Sequence, residues 1–106
     1  FTCGQIKPES LLFNLGYFSD EDANMLYSSA VGDISSRFYD KDGHICSKSL
    51  NERTLGIGLD ELKEKDYSIL VAGGSRKIDS IHAALKGGYA NVLVTDQYTA
   101  RFLLDK

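Results

Sequence analysis

From about Leu50 onward the apolar residues keep a regular rhythm. Tyr67-Ser68-Ile69-Leu70-Val71-Ala72 is an almost continuous apolar run of strand length, interrupted by Gly73-Gly74-Ser75. Ile78, Ile81, Ala84 and Leu85 then recur on one helical face until Gly87-Gly88, which predicts an amphipathic helix stopped by glycine. Asn91-Val92-Leu93-Val94-Thr95 is a second apolar, β-rich run, and Ala100, Phe102, Leu103 and Leu104 predict a short closing helix capped by Thr95 or Asp96. Strand, helix and strand in so short a span form a βαβ unit with parallel strands and a right-handed crossover. Strands apolar on both faces belong inside a sheet covered by helices on each side. The expected fold class is therefore α/β, an open and mostly parallel sheet.

The first stretch, to about Ser49, is turn-rich and less regular. Pro8 suits the first turn of a short helix, Leu11, Leu12 and Leu15 give it an apolar side, and Gly16 ends it. Ser19 is placed to cap the next helix, with Asp20, Glu21 and Asp22 near the positive end of its dipole. Met25 and Leu26, with Tyr27 at the margin, are the expected buried stripe. Ala30-Val31-Gly32-Asp33-Ile34 leads into a strand-like Arg37-Phe38-Tyr39, and Asp40-Lys41-Asp42-Gly43 before Ile45 and Cys46 reads as a hairpin turn.

Length and charge narrow the classes. A chain of 106 residues allows one small domain over 1–106. With 12 Lys and Arg against 15 Asp and Glu, and no basic stripe, it lacks the face that grips nucleic acid unaided. No apolar run approaches the eighteen or so residues that a membrane span needs, and neither a signal peptide nor a lipidation motif is present. Cys3 and Cys46 lack metal-ligand spacing, so reduced thiols in a cytoplasmic protein are expected, with a single disulfide left open. Phe1-Thr2-Cys3-Gly4 reads like the end of a strand already under way, as in a piece of a longer polypeptide.

The Gly-rich turn is the foremost candidate site. Ligands of open α/β sheets settle beyond the carboxyl ends of the strands, where Ala72-Gly73-Gly74-Ser75-Arg76-Lys77 falls. Glycines let backbone N–H groups approach an anion, Ser75 can cap the helix, and Lys77 adds a full charge. The same residues could equally make only a tight turn, and neither G-x-G-x-x-G nor G-x-x-x-x-G-K-[ST] is present. Asp96 reads as a helix cap that could face the same crevice. Asp33, in apolar surroundings, needs a partner; a ligand hydroxyl or the N–H groups of a turn would each serve. Asp40, Asp42 and His44 hint at a calcium loop, but Ile45 stands where the sixth position needs Gly and Asn51 where the twelfth needs Glu. His82 reads as a boundary residue. No nucleophile elbow or Cys–His arrangement is present, and spacing gives Asn51 and Arg53, in a predicted loop, no role.

Several motifs resemble the sugar-binding domain of SorC-type bacterial transcriptional regulators. They are Ala30-Val31-Gly32-Asp33-Ile34, Arg37-Phe38-Tyr39-Asp40 with Asp42-Gly43, Leu50-Asn51-Glu52-Arg53, and Ile57-Gly58-Leu59. To these add Val71-Ala72-Gly73-Gly74-x-x-Lys77, Ile81-x-Ala83-Ala84-Leu85-x-Gly87-Gly88, Asn91 to Asp96, and Thr99-Ala100-Arg101. The resemblance runs through nearly the whole chain in order. It implies a Rossmann-like sheet of the glucosamine-6-phosphate isomerase and ribose-5-phosphate isomerase (NagB/RpiA-like) type, incomplete here. It also implies a phosphorylated sugar as effector, association as dimers or tetramers, and no enzymatic step, cofactor or metal. Carried over by motif, Asp33 and Lys77 would face the effector, Gly73 and Gly74 would line it, and Asn51 and Arg53 would assist. The family's helix-turn-helix for DNA and its Gly- and Thr-rich phosphate loop are not among these residues, so the chain resembles the C-terminal part of the effector domain. Ser35-Ser36 departs from the small pair commoner after Gly-Asp-Ile. The rival classes are an enzyme of the isomerase fold, with Asp33 or Asp96 as general base, and a bare oligomerisation module.

Overall fold

The computed structural model describes residues 1–6 and 19–106; the helix expected at residues 8–16 lies outside them. The described elements run β1 (Gly4–Gln5), α1 (Asp20–Ser29), β2 (Gly32–Ile34), β3 (Arg37–Tyr39), α2 (Lys48–Arg53), α3 (Leu59–Lys63), β4 (Ile69–Val71), a 3₁₀ turn (Ser75–Lys77), α4 (Ile78–Lys86), β5 (Val92–Val94) and α5 (Gln97–Leu104). None of the described helices is long and apolar enough to cross a membrane.

The βαβ unit forms as the apolar rhythm requires. β4 and β5 pair in parallel, Leu70 opposite Leu93, with α4 as the crossover. Ile81, Ala83 and Ala84 of α4 are fully buried and join Leu70, Ala72, Leu59, Leu62, Ile34, Tyr39 and Tyr89 in the main core. Asp96 caps α5, its Oδ1 accepting the Thr99 N–H at 2.8 Å. Phe102 and Leu104 of that helix are exposed, so its inward side is Thr99, Ala100 and Leu103.

The expectation of a sheet covered on both faces is corrected. Leu70 points into the core, but Ile69, Val71, Val92 and Val94 on the other face are 37–53% exposed. Successive side chains of a strand point to opposite faces, and among the described residues the core that α4 joins lies on the Leu70 side.

A mostly parallel sheet is corrected as well. β1, β2 and β3 form an antiparallel sheet, Asp33 opposite both Gly4 and Phe38. The two sheets meet at the N-terminus: the Phe1 amino group donates to Ile69 O at 3.1 Å and the Val71 N–H to Phe1 O at 2.9 Å. The extended stretch from Phe1 to Gln5 thus runs beside β4 in the parallel sense and ends beside β2 in the antiparallel sense. The chain reverses at Ser35-Ser36, both at positive φ (52° and 66°), the backbone of a two-residue primed turn that matches strand twist. The expected Asp40–Gly43 hairpin turn is also present: Tyr39 bridges Ile45, the Asp40 N–H donates to His44 O at 2.9 Å and the Cys46 N–H to Phe38 O at 3.1 Å. Its Asp40 Oδ1 accepts the N–H groups of Asp42 and His44, both at 2.9 Å.

Helix α1 starts where expected, Ser19 Oγ accepting the Asp22 N–H at 3.1 Å. Leu26 is its fully buried residue and packs with Ala30 and Phe38; Met25 lies against them and Tyr27 is exposed. Both cysteines are free thiols, Cys3 buried and Cys46 half-buried.

Candidate functional site

β2, which carries Asp33, lies against the start of α4, and the Lys77 charge is felt at Asp33. A Cβ on Gly32 would stand 2.5 Å from Ser80 Cβ and 2.8 Å from the Tyr39 hydroxyl, so only glycine permits this approach. Two bonds hold it: the Tyr39 hydroxyl donates to Ser80 O at 2.9 Å, and Ser80 Oγ to Lys77 O at 3.0 Å. Cys3 Sγ and Ser80 Oγ lie 3.4 Å apart on the inner side.

The half-buried Asp33 carboxylate accepts the Ser36 N–H at 3.2 Å. Burial pushes its pKa above the ordinary value, opposed by that hydrogen bond and by the nearby Lys77 charge. The Lys77 ammonium makes no hydrogen bond or ion pair among the described residues. A partly desolvated carboxylate, able to accept from hydroxyls, therefore lies within electrostatic range of a cation able to take an anion. The turn reading of Asp33 holds, since the Ser36 N–H bonds one of its oxygens.

The Gly73-Gly74 turn sits at the carboxyl end of β4. Ser75 does not cap the helix; it opens the 3₁₀ turn, and the N-terminus of α4 carries no side-chain cap. The turn is anchored from α5 instead, the Gly74 N–H donating to Thr99 Oγ1 at 2.9 Å. Asp96 is exposed yet lies against Gly73, and its two bonds from Thr99 hold its pKa below the ordinary carboxylate value. Thr95 Oγ1, beside it, is a buried atom without a hydrogen-bond partner among the described residues. A cavity of about 340 Å³ opens between Gly74, Ile78, Asp96 and Phe102.

Asn51 and Arg53 lie on helix α2, not in the predicted loop. Asn51 Oδ1 accepts from Arg37 Nη1 at 2.8 Å, and Arg53 pairs with Asp22 at 3.6 Å; neither bonds to Asp33 or Lys77. Sequence reasoning missed Arg37, Thr99 and the Tyr39–Ser80 bond. For Thr99 a signal existed in the Asp96-x-x-Thr99 spacing of a helix start. A tertiary bond between residues as distant as Tyr39 and Ser80 leaves no local trace. Asp40, Asp42 and His44 offer ligand atoms within 4.8 Å of one another. Asp42 is paired with Lys86 at 2.6 Å and Asp40 closes its own turn, which is the work of a loop.

A small α/β unit with a glycine turn at a strand end and a lysine just behind it has the layout of a small-molecule binding domain. Comparison with known proteins makes the class specific. The sugar-binding domain family matches residues 1–105, and the chain belongs to it. The chain is 57% identical over 105 residues to the deoxyribonucleoside regulator of Bacillus subtilis (strain 168), covering 99% of itself and 34% of that protein. Among solved structures it is similar to a transcriptional regulator from Streptococcus pneumoniae TIGR4 (TM-score 0.87, 31% identity, 98% of this chain and 40% of that one). It is similar also to the full-length sorbitol operon regulator SorC from Klebsiella pneumoniae (TM-score 0.81, 36% identity, 97% and 33%). These relatives are transcriptional regulators of the SorC/DeoR type, and the chain spans about a third of the length of the curated relatives it matches.

Proposed function

We propose that this chain is the C-terminal part of the effector domain of a SorC-type bacterial transcriptional regulator, binding a phosphorylated sugar and contributing to a dimer or tetramer. The observation that carries the reading is a half-buried Asp33 carboxylate within electrostatic range of a Lys77 ammonium that has no partner among the described residues. The ammonium suits a phosphate or another anionic oxygen, the carboxylate accepts sugar hydroxyls, and Gly73 and Gly74 keep the approach open. Asn51 and Arg53, engaged with Arg37 and Asp22, have no direct contact in this reading. DNA is reached through a helix-turn-helix elsewhere in the parent polypeptide. The bare apolar face of β4 and β5 supports a larger sheet of the NagB/RpiA-like type, completed by the remainder of that polypeptide.

No chemical step is required. An effector that binds one arrangement of subunits better shifts the population toward it, and the attached DNA-binding parts change affinity accordingly. The raised pKa of Asp33 is also a property of a general base, so turnover belongs in the same test.

That test is thermal shift of the complete polypeptide against deoxyribose 5-phosphate, sorbitol 6-phosphate, glucose 6-phosphate and the unphosphorylated sugars, beside Lys77→Ala. A ligand at a hundredfold excess over its Kd stabilises by about 2.7 kcal/mol. The expected result is a shift with one phosphorylated sugar, largely lost in Lys77→Ala, with no product formed. Product formation would favour the enzyme. No shift with any phosphorylated compound would leave the glycine turn structural and the chain an assembly module.

A further inference from the structure

The turn that presents Lys77 is held by two residues with no part in the proposed effector contacts. Gly74 stands at φ +104° and ψ 151°, a conformation that L side chains avoid. Nothing lies within 4 Å of where its Cβ would be, so side-chain packing at that position does not hold it there. Its N–H, however, donates to Thr99 Oγ1 at 2.9 Å. That hydroxyl in turn donates to Asp96 Oδ2 at 2.8 Å, while the Thr99 N–H donates to Asp96 Oδ1 at 2.8 Å.

The direction of the chain of bonds is fixed. A backbone N–H can only donate, so the Thr99 hydroxyl accepts from Gly74 and its own proton must go to Asp96. Thr99 is only 2% exposed, so water cannot readily replace either bond. The fit is close on both sides, since a Cβ on Gly73 would come within 2.6 Å of Asp96 Oδ2 and 3.3 Å of Thr95 Oγ1. From Gly74 the constraint passes onward: Gly74 O accepts the Lys77 N–H at 3.1 Å, and Lys77 O accepts from Ser80 Oγ at 3.0 Å.

We infer that Thr99 and Asp96 are positioning residues for the effector site, acting from the first turn of α5 through Gly74 to set where Lys77 stands. The inference rests on the effector reading of Lys77. It assigns to α5 a share in effector affinity although α5 supplies no ligand contact.

The test uses the complete polypeptide, reading hydrogen exchange of the Gly74 amide together with calorimetric affinity for the sugar phosphates named above. Thr99→Val keeps shape and removes the hydroxyl; Thr99→Ser keeps the hydroxyl. Thr99→Val is expected to speed Gly74 exchange about tenfold and to weaken binding about tenfold, the worth of one buried hydrogen bond. Thr99→Ser is expected to restore both. If the valine variant does not fold, Asp96→Asn serves, because it keeps an oxygen for the Thr99 N–H while losing the acceptor of the hydroxyl; about threefold weaker binding is expected. Normal wild-type binding that Lys77→Ala abolishes and Thr99→Val leaves untouched would overturn the inference alone. Unchanged Gly74 exchange would do the same, as would equal losses in the valine and serine variants. Wild-type protein that binds none of the compounds would overturn the effector reading and this inference with it.

Discussion

Arg37 offers the sharpest energetic test of how the fold is held. Its guanidinium is buried, at 7% exposure, and no carboxylate pairs with it among the described residues. It donates instead to Ile57 O (2.9 Å), Asn51 O (2.7 Å), Asn51 Oδ1 (2.8 Å), Thr54 O (2.9 Å) and Gly56 O (3.3 Å). The planar fork of arginine thereby gathers the end of α2 and the following loop onto β3. In Arg37→Met the carbonyls of the exposed residues Gly56 and Ile57 regain water, whereas those of half-buried Asn51 and Thr54 do so poorly. One or two charge-assisted bonds are then lost without compensation, at about 1.5–3 kcal/mol each. The expected net loss is about 3 kcal/mol, read as a lower urea midpoint at unchanged slope. Arg37→Lys keeps the charge but reaches fewer acceptors and is expected to recover less than half. A methionine variant within about 0.5 kcal/mol of wild type, the scatter of surface substitutions, would refute the clamp, as would full recovery by lysine.

Three further outcomes follow from particular residues. Burial raises the Asp33 pKa, so the folded state holds that proton more tightly than the unfolded chain. The stability it contributes is full below the ordinary carboxylate range and falls as pH climbs toward the raised value. Asp33→Asn, which keeps an acceptor for Ser36, is expected to flatten that slope in a pH series of melting curves. It should gain on the order of 1 kcal/mol at pH 7 while weakening effector binding, and a loss of stability at pH 7 would count against the desolvated carboxylate. Ser36 sits at φ 66°, and Ser36→Gly is expected to raise stability by about 1 kcal/mol; an unchanged urea midpoint would show the turn to be unstrained. Val71→Lys is expected to cost about 2–3 kcal/mol in the complete polypeptide, where we propose its sheet face is covered, and almost nothing in the 106-residue chain. Equal small effects in both would sink the proposal that the remainder of the parent closes over that face.

The second half of the chain was readable because its information is local. Continuous apolar runs, a helical stripe and paired glycines each act within a few residues, and α4, β4, β5 and the Asp96 cap stand where those signals put them. The first half was harder. Ser35-Ser36 carries none of the Asn-Gly or Asp-Gly chemistry that marks a primed turn, so the reversal there was missed, while the expected turn at Asp40–Gly43 formed. Asn51 and Arg53 were expected in a loop and lie on a six-residue helix, whose start Ser47 caps through Leu50 N–H at 3.2 Å. Short helices depend on such caps and on tertiary anchors more than on periodicity.

By itself the sequence determined the α/β class, the βαβ unit, the glycine turn with Lys77 behind it, and the family, since motif order along the chain suffices for these. Only the tertiary structure decided that β2 packs on the start of α4, because that approach depends on Gly32 fitting against Ser80, two residues that no local pattern joins. It decided likewise that one face of β4 and β5 is bare and that Thr99 holds Gly74. Contacts between residues far apart in the chain are chosen by close packing and by the need to satisfy buried polar groups. Both conditions are set by the folded whole and not by any stretch of it.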